Sequence, residues 1–320
     1  MQILPASDPD SSTLCSEAFE RRLEIAGLAA AELASLFGAD RTRRDELALA
    51  SRGPISVRIE QDEGTASAAV APKSLQPERL PDGQALLASG LPGQARLQAD
   101  AATDRLLPGP LNLLLAQQWA RQGLFPLHAA ALRWRGRGVM ILGGRGAGKS
   151  SLVLAALAEG AEVVSDDWLL VGCERGEVRA ERLRQFLMLR PGETWTRFAP
   201  SLGGDLDFRC GNDGRFVHAI SPKDPAFPSW IRVERCLLLH RPPADRPATT
   251  RLEASDQAGL LGELIDAAMP VLMTHRFPVE RALLFDRFNA LIRRLPTAAV
   301  TTGRDLLADP RSVLERLISD

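Results

Sequence analysis

Residues 143–150 read Gly-Gly-Arg-Gly-Ala-Gly-Lys-Ser, a complete match to the pattern GxxxxGK[ST]. Glycines in such a loop let backbone N–H groups turn inward around phosphate oxygens, because no Cβ stands in the way. Lys149 is expected to neutralise the β- and γ-phosphate oxygens, and the Ser150 hydroxyl is expected to bind Mg²⁺. The sequence therefore predicts a binding site for a nucleoside triphosphate, taken as ATP, together with Mg²⁺.

The residues on either side of this loop favour a strand–loop–helix unit. An apolar run, 139–142, precedes the loop, and leucines at 152, 154 and 157 follow it at helical spacing. The N-terminus of that helix would direct its positive dipole end at the same phosphates. The predicted nucleotide-binding residues are Gly143, Gly144, Arg145, Gly146, Ala147, Gly148, Lys149, Ser150 and Ser151.

Two adjacent carboxylates follow the next short strand, predicted over 162–165. Asp166 and Asp167 end that strand, and Gly160 lets the chain return alongside the loop. In open α/β sheets ligands lie at the C-terminal ends of strands. One carboxylate is therefore expected to hold Mg²⁺ and the other to accept the proton of an incoming hydroxyl. Both face the metal only if the strand bends or ends there, and surface turn aspartates are the alternative.

The first third of the chain carries weaker patterns. Leucines among alanines and charges predict a helix over 18–37, and alternation over 55–59 predicts a hairpin with 66–71. We assign residues 1–105 to a smaller N-terminal α+β domain, with substrate recruitment as the hypothesis for it. Residues 106–320 then form the main α/β domain.

The main domain is predicted to alternate strands and helices. Its predicted elements are a helix over 111–122, strands over 125–134 and 139–142 joined by a hairpin at 135–138, a helix over 150–159, strands over 162–165 and 235–240, and helices over 255–269, 279–295 and 310–318.

The composition excludes several classes of function. The formal net charge is −1, so no basic field favours nucleic acid or anionic lipid. The apolar runs are far shorter than the roughly 20 residues that span a bilayer, and the N-terminus lacks the features of a secretory signal. We therefore expect a cytoplasmic protein without nucleic-acid or membrane partners. The four cysteines are scattered, which disfavours a zinc site or a disulfide framework.

Four segments together resemble a known family. The run FPLHAAA at 125–131, the Arg-Gly hairpin, GGRGAGKSSL and GAEVVSDD at 160–167 look like the catalytic core of HPr kinase/phosphorylase. They are closer still to HPr-kinase-related serine kinases, some of which act in lasso-peptide maturation. The resemblance covers about residues 106–171, with an echo at 288–303. It implies a P-loop kinase core of the HPr kinase/PEP carboxykinase type on a mixed sheet over 106–320, and assembly into a homo-oligomer.

The resemblance also implies roles for particular residues. Asp166 would be the base that activates a serine hydroxyl of a protein or peptide acceptor. Asp167 and Ser150 would hold Mg²⁺, and His128 would lie near the transferred phosphate. Asp166, His128 and Lys149 are thus the predicted catalytic residues. Taken by itself, a histidine such as His128 on an apolar strand is also typical of a protein core.

The chain departs from the bifunctional members of that family after the aspartate pair. Those members carry a glycine-rich segment with a catalytic Glu, whereas residues 187–193 here read LMLRPGE. Arg190 remains a candidate phosphate contact, but Glu193 does not match the family Glu. The resemblance therefore does not extend to phosphorylase activity or to HPr as the substrate.

Two other functions fit a phosphate-binding loop. A small-molecule kinase usually carries an arginine-rich lid, for which 175–184 is the only candidate segment. A regulatory nucleotide switch is disfavoured, because switches and motors usually place the acidic strand farther from the loop. The hairpin before the loop, with His128, favours the serine kinase over the small-molecule kinase.

Overall fold

The computed structural model describes residues 123–318 with gaps, and before them seven short strands together with Ala18 and Trp119. The chain separates into two compact units, Met1–Gln122 and Gly123–Asp320. The predicted domain boundary at 105/106 lies outside the described residues. The gaps after residue 123 are 185, 203–207, 211–213, 222, 244, 246, 255–261, 263–285, 287–288 and 292.

The first unit contains an antiparallel sheet in the order β1-β2-β3-β4-β7-β6-β5. Each strand pairs with its neighbour in antiparallel register. The strands are β1 (Gln2–Pro5), β2 (Ser11–Ser16), β3 (Arg21–Ala26), β4 (Ile55–Glu60), β5 (Glu78–Arg79), β6 (Ala85–Leu87) and β7 (Gln94–Gln98).

This sheet corrects two predictions for the first unit. The helix predicted over 18–37 is wrong over Arg21–Ala26, which is β3. Leu23 and Ile25 alternate with charged residues, and this period of two suits a strand paired on both sides. The strand predicted at 55–59 is present as β4, but it pairs with β3 and β7. Its predicted hairpin partner, 66–71, lies outside the described residues.

The second unit is a mixed α/β structure built on three sheets. Their strand orders are β11-β9-β10-β18-β20-β19, β17-β13-β12-β8 and β14-β16-β15. Its strands are β8 (Phe125–Leu127), β9 (Ala130–Trp134), β10 (Arg137–Leu142), β11 (Glu162–Ser165), β12 (Leu169–Glu174), β13 (Glu177–Arg182), β14 (Phe186–Leu189), β15 (Phe208–Cys210), β16 (Phe216–Ala219), β17 (Trp230–Arg232), β18 (Arg235–His240), β19 (Arg251–Ala254) and β20 (Thr297–Thr301). Its helices are α1 (Lys149–Ala158), α2 (Glu193–Phe198), a 3₁₀ turn (Ala199–Leu202), α3 (Asp305–Ala308) and α4 (Pro310–Ile318).

The directions of the strands in the six-stranded sheet bring several strand ends to one edge. β10, β18 and β20 are parallel neighbours, whereas β9 is antiparallel to both β10 and β11. β11 therefore runs in the same direction as β10. The C-terminal ends of β10, β11, β18 and β20, and the start of β9, consequently meet at one edge of the sheet.

The single strand predicted over 125–134 is two strands in different sheets. β8 pairs with β12, and β9 pairs with β10. Between them the N–H of Ala129 donates to the carbonyl of Leu127 at 3.0 Å, a three-residue turn centred on His128. Pro126 is tolerated because β8 is an edge strand. The turn takes His128 out of the strand pairing and places it at the edge of the six-stranded sheet where β10 and β11 end.

The hydrophobic core of this unit surrounds α1. Leu152, Val153 and Leu154 are buried together with Leu132 and Ile141 of the sheet and with Leu314 of α4. Each fully buried side chain of this size contributes about 1.5–3 kcal/mol relative to exposure. Because α1 is apolar on nearly every side, it is fixed against the sheet, and its N-terminus is fixed with it.

Two arginines hold the C-terminal end of α4 against the sheet. Arg235 donates to the carbonyl of Leu317 at 2.9 Å, and Arg137 donates to that of Ile318 at 3.4 Å. Cations at the C-terminus of a helix satisfy its last carbonyls and complement its dipole. The helix predicted to begin at Asp309-Pro310 is confirmed.

The remaining element predictions divide into three groups. The hairpin at 135–138, the strands over 162–165 and 235–240 and the helix after the loop are confirmed. The candidate lid, 175–184, instead forms a hairpin turn and β13. The helices over 111–122, 255–269 and 279–295 lie almost wholly outside the described residues. Within the described parts of the chain, no helix has the length and apolar character needed to cross a membrane.

Candidate active site

The glycine-rich loop leaves β10 at Leu142 and enters α1 at Lys149. Gly143 has a φ of 146°, and a Cβ at this position would lie 2.5 Å from the carbonyl oxygen of Leu239 in β18. A side chain would therefore collide with the neighbouring strand as well as strain the backbone. The loop backbone packs directly against the end of β18.

The N-terminus of α1 faces this loop. Its N-cap, Gly148, has a φ of 104°, and within the described residues no side chain caps the helix. First-turn N–H groups of a helix have no intrahelical acceptors and bind anions readily. Lys149 is only 7% exposed, and its Nζ donates to the carbonyl of Gly143 at 2.5 Å. The ammonium group is thus held above the loop.

The turn after β20 forms the other wall of the loop. Thr302 is buried, and its hydroxyl oxygen lies 3.6 Å from the point where a Cβ on Gly148 would stand. Next to it, the N–H of Gly303 donates to the Thr250 hydroxyl, which donates in turn to Asp305 at 2.7 Å. These bonds fix the turn, so that it borders the loop as a rigid surface.

The side chain of Ser165 shapes the turn that carries both aspartates. Its hydroxyl oxygen accepts from the N–H groups of Asp167 and Trp168 at 3.2 and 3.3 Å, and it donates to the Trp168 carbonyl at 3.1 Å. The register of β11 also shifts between Val163 and Ser165. The strand therefore ends before the aspartates, and the strict alternation of a strand does not apply to them.

Asp166 lies beside the first turn of α1 and is 3% exposed. Its Oδ2 is 3.5 Å from the hydroxyl oxygen of Ser150, the outer limit of a hydrogen bond, and its Oδ1 accepts from the N–H of Met188 at 3.2 Å. Burial, and then the charge of Asp167, raises the pKa of Asp166 from 3.8 to about 7. This carboxyl group can therefore take up or release a proton near neutral pH.

Asp167 differs from Asp166 because a hydrogen-bond donor and two cationic side chains lie close to it. His128 Nε2 lies 3.1 Å from its Oδ1, and the Arg184 guanidinium donates to its Oδ2. Burial alone would raise the pKa of Asp167. The hydrogen bond from His128 and the charges of Arg184 and Lys149 outweigh burial and hold that pKa below the ordinary value. Asp167 is therefore ionised at neutral pH.

His128 occupies the surface of this site rather than the core. Its side chain is 39% exposed, and its ring lies 5.9 Å from that of Trp168. The guanidinium of Arg184 lies 5.8 Å from the Trp168 ring and 5.7 Å from that of Phe186. The alternative of a core histidine is therefore wrong for the free protein.

The segment from β14 to α2 covers one side of the aspartate turn. Met188 donates its N–H to Asp166, and Thr194 donates its hydroxyl to that of Ser151 at 3.2 Å. Arg190 and Glu193 lie between these two contacts, and both are exposed. Arg190 is thus exposed to solvent, and within the described part of the chain no hydrogen bond or ion pair ties its side chain to the aspartates or the loop.

The donors at this edge fit Mg²⁺ and a polyphosphate. Oxygens from Ser150, Asp166 and Asp167 are hard ligands, and Mg²⁺ is usually held by one or two carboxylates together with substrate phosphates. Within the described residues no group of three or more His, Cys, Asp and Glu side chains is arranged as a metal site. The loop backbone, the α1 N-terminus and Lys149 supply the positive groups for phosphate.

The structure brings the predicted residues of the loop, the aspartate pair and His128 to one edge of one sheet. Three contributors were not predicted: Ser165, which shapes the turn, Arg184, which pairs with Asp167, and the N–H of Met188. Arg184 belonged to the segment considered as a lid, and its basic charge near the aspartates was the one available signal. The contacts of the other two depend on a turn and on strand placement, which leave no motif.

Comparisons with known proteins show a distant structural similarity. No protein-family profile matches the chain, and no curated protein matches it. Among solved structures, it is similar to the Hpr(Ser) kinase/phosphatase from Coxiella burnetii, with a TM-score of 0.31 and 16% identity. That match covers 60% of this chain and 89% of the other. The relation is distant and concerns the fold alone.

Proposed function

We propose that this protein is a Mg²⁺- and ATP-dependent kinase that transfers the γ-phosphate to a serine hydroxyl of a protein or peptide. The observation that carries this proposal is the position of Asp166. It is buried next to Ser150 at the start of α1, and its pKa is raised to about 7. A general base works best when its pKa lies near the working pH.

The proposed reaction assigns a task to each group at the sheet edge. The loop N–H groups and Lys149 hold the β- and γ-phosphates and offset their charge. Asp166 accepts the proton of the acceptor hydroxyl while the oxygen of that hydroxyl forms a bond to the γ-phosphorus. The bond to the bridging oxygen breaks, and ADP leaves with that electron pair. Mg²⁺, when bound through Ser150 and Asp167, supplies charge neutralisation at the phosphate oxygens.

Two features support a kinase over a nucleotide switch. Asp166 and Asp167 lie directly beside the loop, and their environments push their pKa values in opposite directions. Titratable neighbours tuned apart in this way are typical of acid–base assignments in active sites. The serine acceptor, the P-loop core of HPr kinase type and the homo-oligomer rest on the sequence resemblance.

The test is a labelling experiment with γ-labelled ATP, Mg²⁺ and the purified protein. A lysate of the native host is divided into fractions above and below a few kilodaltons, and each fraction is offered as acceptor. We expect label in the macromolecular fraction, on serine, and its loss in the Lys149→Ala variant. The matched control is Lys223→Ala, which removes an exposed lysine outside the proposed site.

The two fractions separate the two kinase hypotheses. Label confined to the small-molecule fraction would contradict the protein or peptide acceptor and favour a metabolite kinase. Label in neither fraction, with ATP hydrolysis retained, would favour a nucleotide switch.

A further inference from the structure

Asp167 has a cationic or hydrogen-bonding partner on each of its oxygens. His128 contacts Oδ1, and Arg184 contacts Oδ2. Asp167 is also the carboxylate assigned to Mg²⁺ under the proposed function. A metal ion that binds Asp167 must therefore share this carboxylate with the Arg184 guanidinium or displace that guanidinium.

The position of Arg184 is fixed by its surroundings. It lies two residues after the end of β13, its side chain is 22% exposed, and its guanidinium lies over the rings of Trp168 and Phe186. Aromatic faces attract a guanidinium and restrict its orientation. These contacts place the Arg184 guanidinium beside Asp167.

We propose that Arg184 is a positioning residue that makes binding of the divalent cation conditional on the nucleotide. In the free protein its charge neutralises Asp167 and repels a second cation. The phosphates of a bound nucleotide bring negative charge to the same edge and offset that repulsion. The cation then binds together with the nucleotide rather than before it.

Coulomb's law sets the expected size of this effect. With the dielectric constant of water, the repulsion between a divalent cation and a guanidinium that share one carboxylate corresponds to a change of about tenfold in affinity for the cation. Removing the Arg184 charge should therefore strengthen binding of the cation to the nucleotide-free protein by about tenfold. This inference rests on the proposed function only in taking Asp167 as a metal ligand.

The experiment titrates nucleotide-free protein with Mn²⁺ and follows free Mn²⁺ by electron paramagnetic resonance. Mn²⁺ shares the preference of Mg²⁺ for carboxylate and hydroxyl oxygens. Arg184→Met and Arg184→Gln remove the charge, and Arg184→Lys keeps it. The matched control is Arg232→Met, which removes an equal charge at the opposite end of the β13 ladder, where Arg232 pairs with Glu177.

The expected result is a gain of about tenfold in Mn²⁺ affinity for Arg184→Met and Arg184→Gln. Arg184→Lys and Arg232→Met should stay within about twofold of the wild type. Adding Asp167→Asn to Arg184→Met should remove the gain, because the gained site uses that carboxylate.

The inference is overturned if Arg184→Met and Arg184→Gln bind Mn²⁺ no better than the wild type. It is also overturned if Arg184→Lys shows the same gain, since charge would then not be the cause. The readout needs no phosphate transfer. A failed kinase assay with the Mn²⁺ gain intact would therefore count against the proposed reaction and leave the role of Arg184 standing.

Discussion

His128 Nε2 lies 3.1 Å from Asp167 Oδ1, a contact between the break that separates β8 from β9 and the turn that ends β11. The two residues meet because β9 starts at the edge of the sheet where β11 ends. The hydrogen bond from His128 helps to keep Asp167 ionised. The turn between β8 and β9 therefore tunes a carboxylate that follows β11.

Replacing His128 by phenylalanine should raise the pKa of Asp167. The ring opposite Trp168 is kept, but the donor that favours the ionised carboxylate is lost. A carboxyl ¹³C chemical-shift titration of the metal-free protein measures this pKa directly. We also expect phosphate transfer to fall by about ten- to hundredfold, the range that corresponds to one hydrogen bond to a charged group.

The control for that substitution is His218→Phe. His218 is buried and packs between the rings of Phe208 and Phe227. Its loss should leave the pKa of Asp167 unchanged. An Asp167 pKa in His128→Phe equal to that of the wild type would show that the contact has no electrostatic role.

The raised pKa of Asp166 should make the free protein less stable as pH rises. The carboxyl titrates near 3.8 when unfolded and about 7 when folded, so the folded state binds more protons between these values. Stability then declines from about pH 4 to pH 7, by up to roughly 4 kcal/mol for a shift of this size. Asp167, whose pKa is lowered, stabilises the folded state above about pH 4, and that stabilisation is lost only as the pH falls below this value.

Urea unfolding at pH 5 and pH 8, without Mg²⁺ or nucleotide, measures this decline. The wild type should lose more stability between the two pH values than Asp166→Asn, which lacks the titrating group. Equal losses in the two proteins would mean that burial does not raise the pKa of Asp166.

Ser165→Ala should destabilise the protein and disorient both aspartates. The buried hydroxyl accepts from two backbone N–H groups, and leaving such groups without an acceptor costs about 1–3 kcal/mol each. Thermal unfolding measures the loss of stability, and a transfer assay should show a lower turnover rate at saturating ATP.

Ser221→Ala is the matched control, because Ser221 makes a similar bond to the N–H of Lys223 at an exposed turn. Its effect should remain within about 0.5 kcal/mol. If Ser165→Ala were as mild as Ser221→Ala, the turn would be held by the backbone alone.

Gly143→Ala and Gly144→Ala should differ sharply in the free protein. A Cβ at Gly143 would meet the Leu239 carbonyl at 2.5 Å with φ at 146°, whereas one at Gly144 would meet no described atom within 4 Å. We expect a loss of about 1–3 kcal/mol for the first and little change for the second. Thermal unfolding without nucleotide is the measurement. Similar melting temperatures for the two variants would contradict the close packing of the loop on β18.

The local signals in the sequence predicted the loop, the strand before it, the helix after it and the aspartate pair. Residues 143–150 form a contiguous motif, and the spacing of Asp166 follows from one helix and one turn. The break at His128 was missed because Pro126 and His128, which interrupt the apolar run 125–134, do not by themselves indicate a change of sheet. β3 was predicted to be helical because the alanines and leucines after residue 26 outweighed the short alternation, with a period of two residues, of Leu23 and Ile25 with charged residues.

The partners of the aspartates could not be predicted from local patterns. Arg184 reaches Asp167 because β12 and β13 form a hairpin that returns the chain to the aspartate turn. Met188 reaches Asp166 through β14, a strand of a different sheet. Such contacts depend on how sheets are placed in space, and single residues in the sequence do not encode that placement.

Under the proposed function, Asp166 is the base of a phosphate-transfer site built on the loop at 143–150. A comparison of the wild type with Asp166→Asn, both in ATP-analogue binding and in transfer of γ-label to the macromolecular acceptor, tests this role. We predict nucleotide affinity within about threefold and transfer reduced by 10²-fold or more, the usual contribution of a general base. Transfer at near-normal rate by Asp166→Asn would contradict this role.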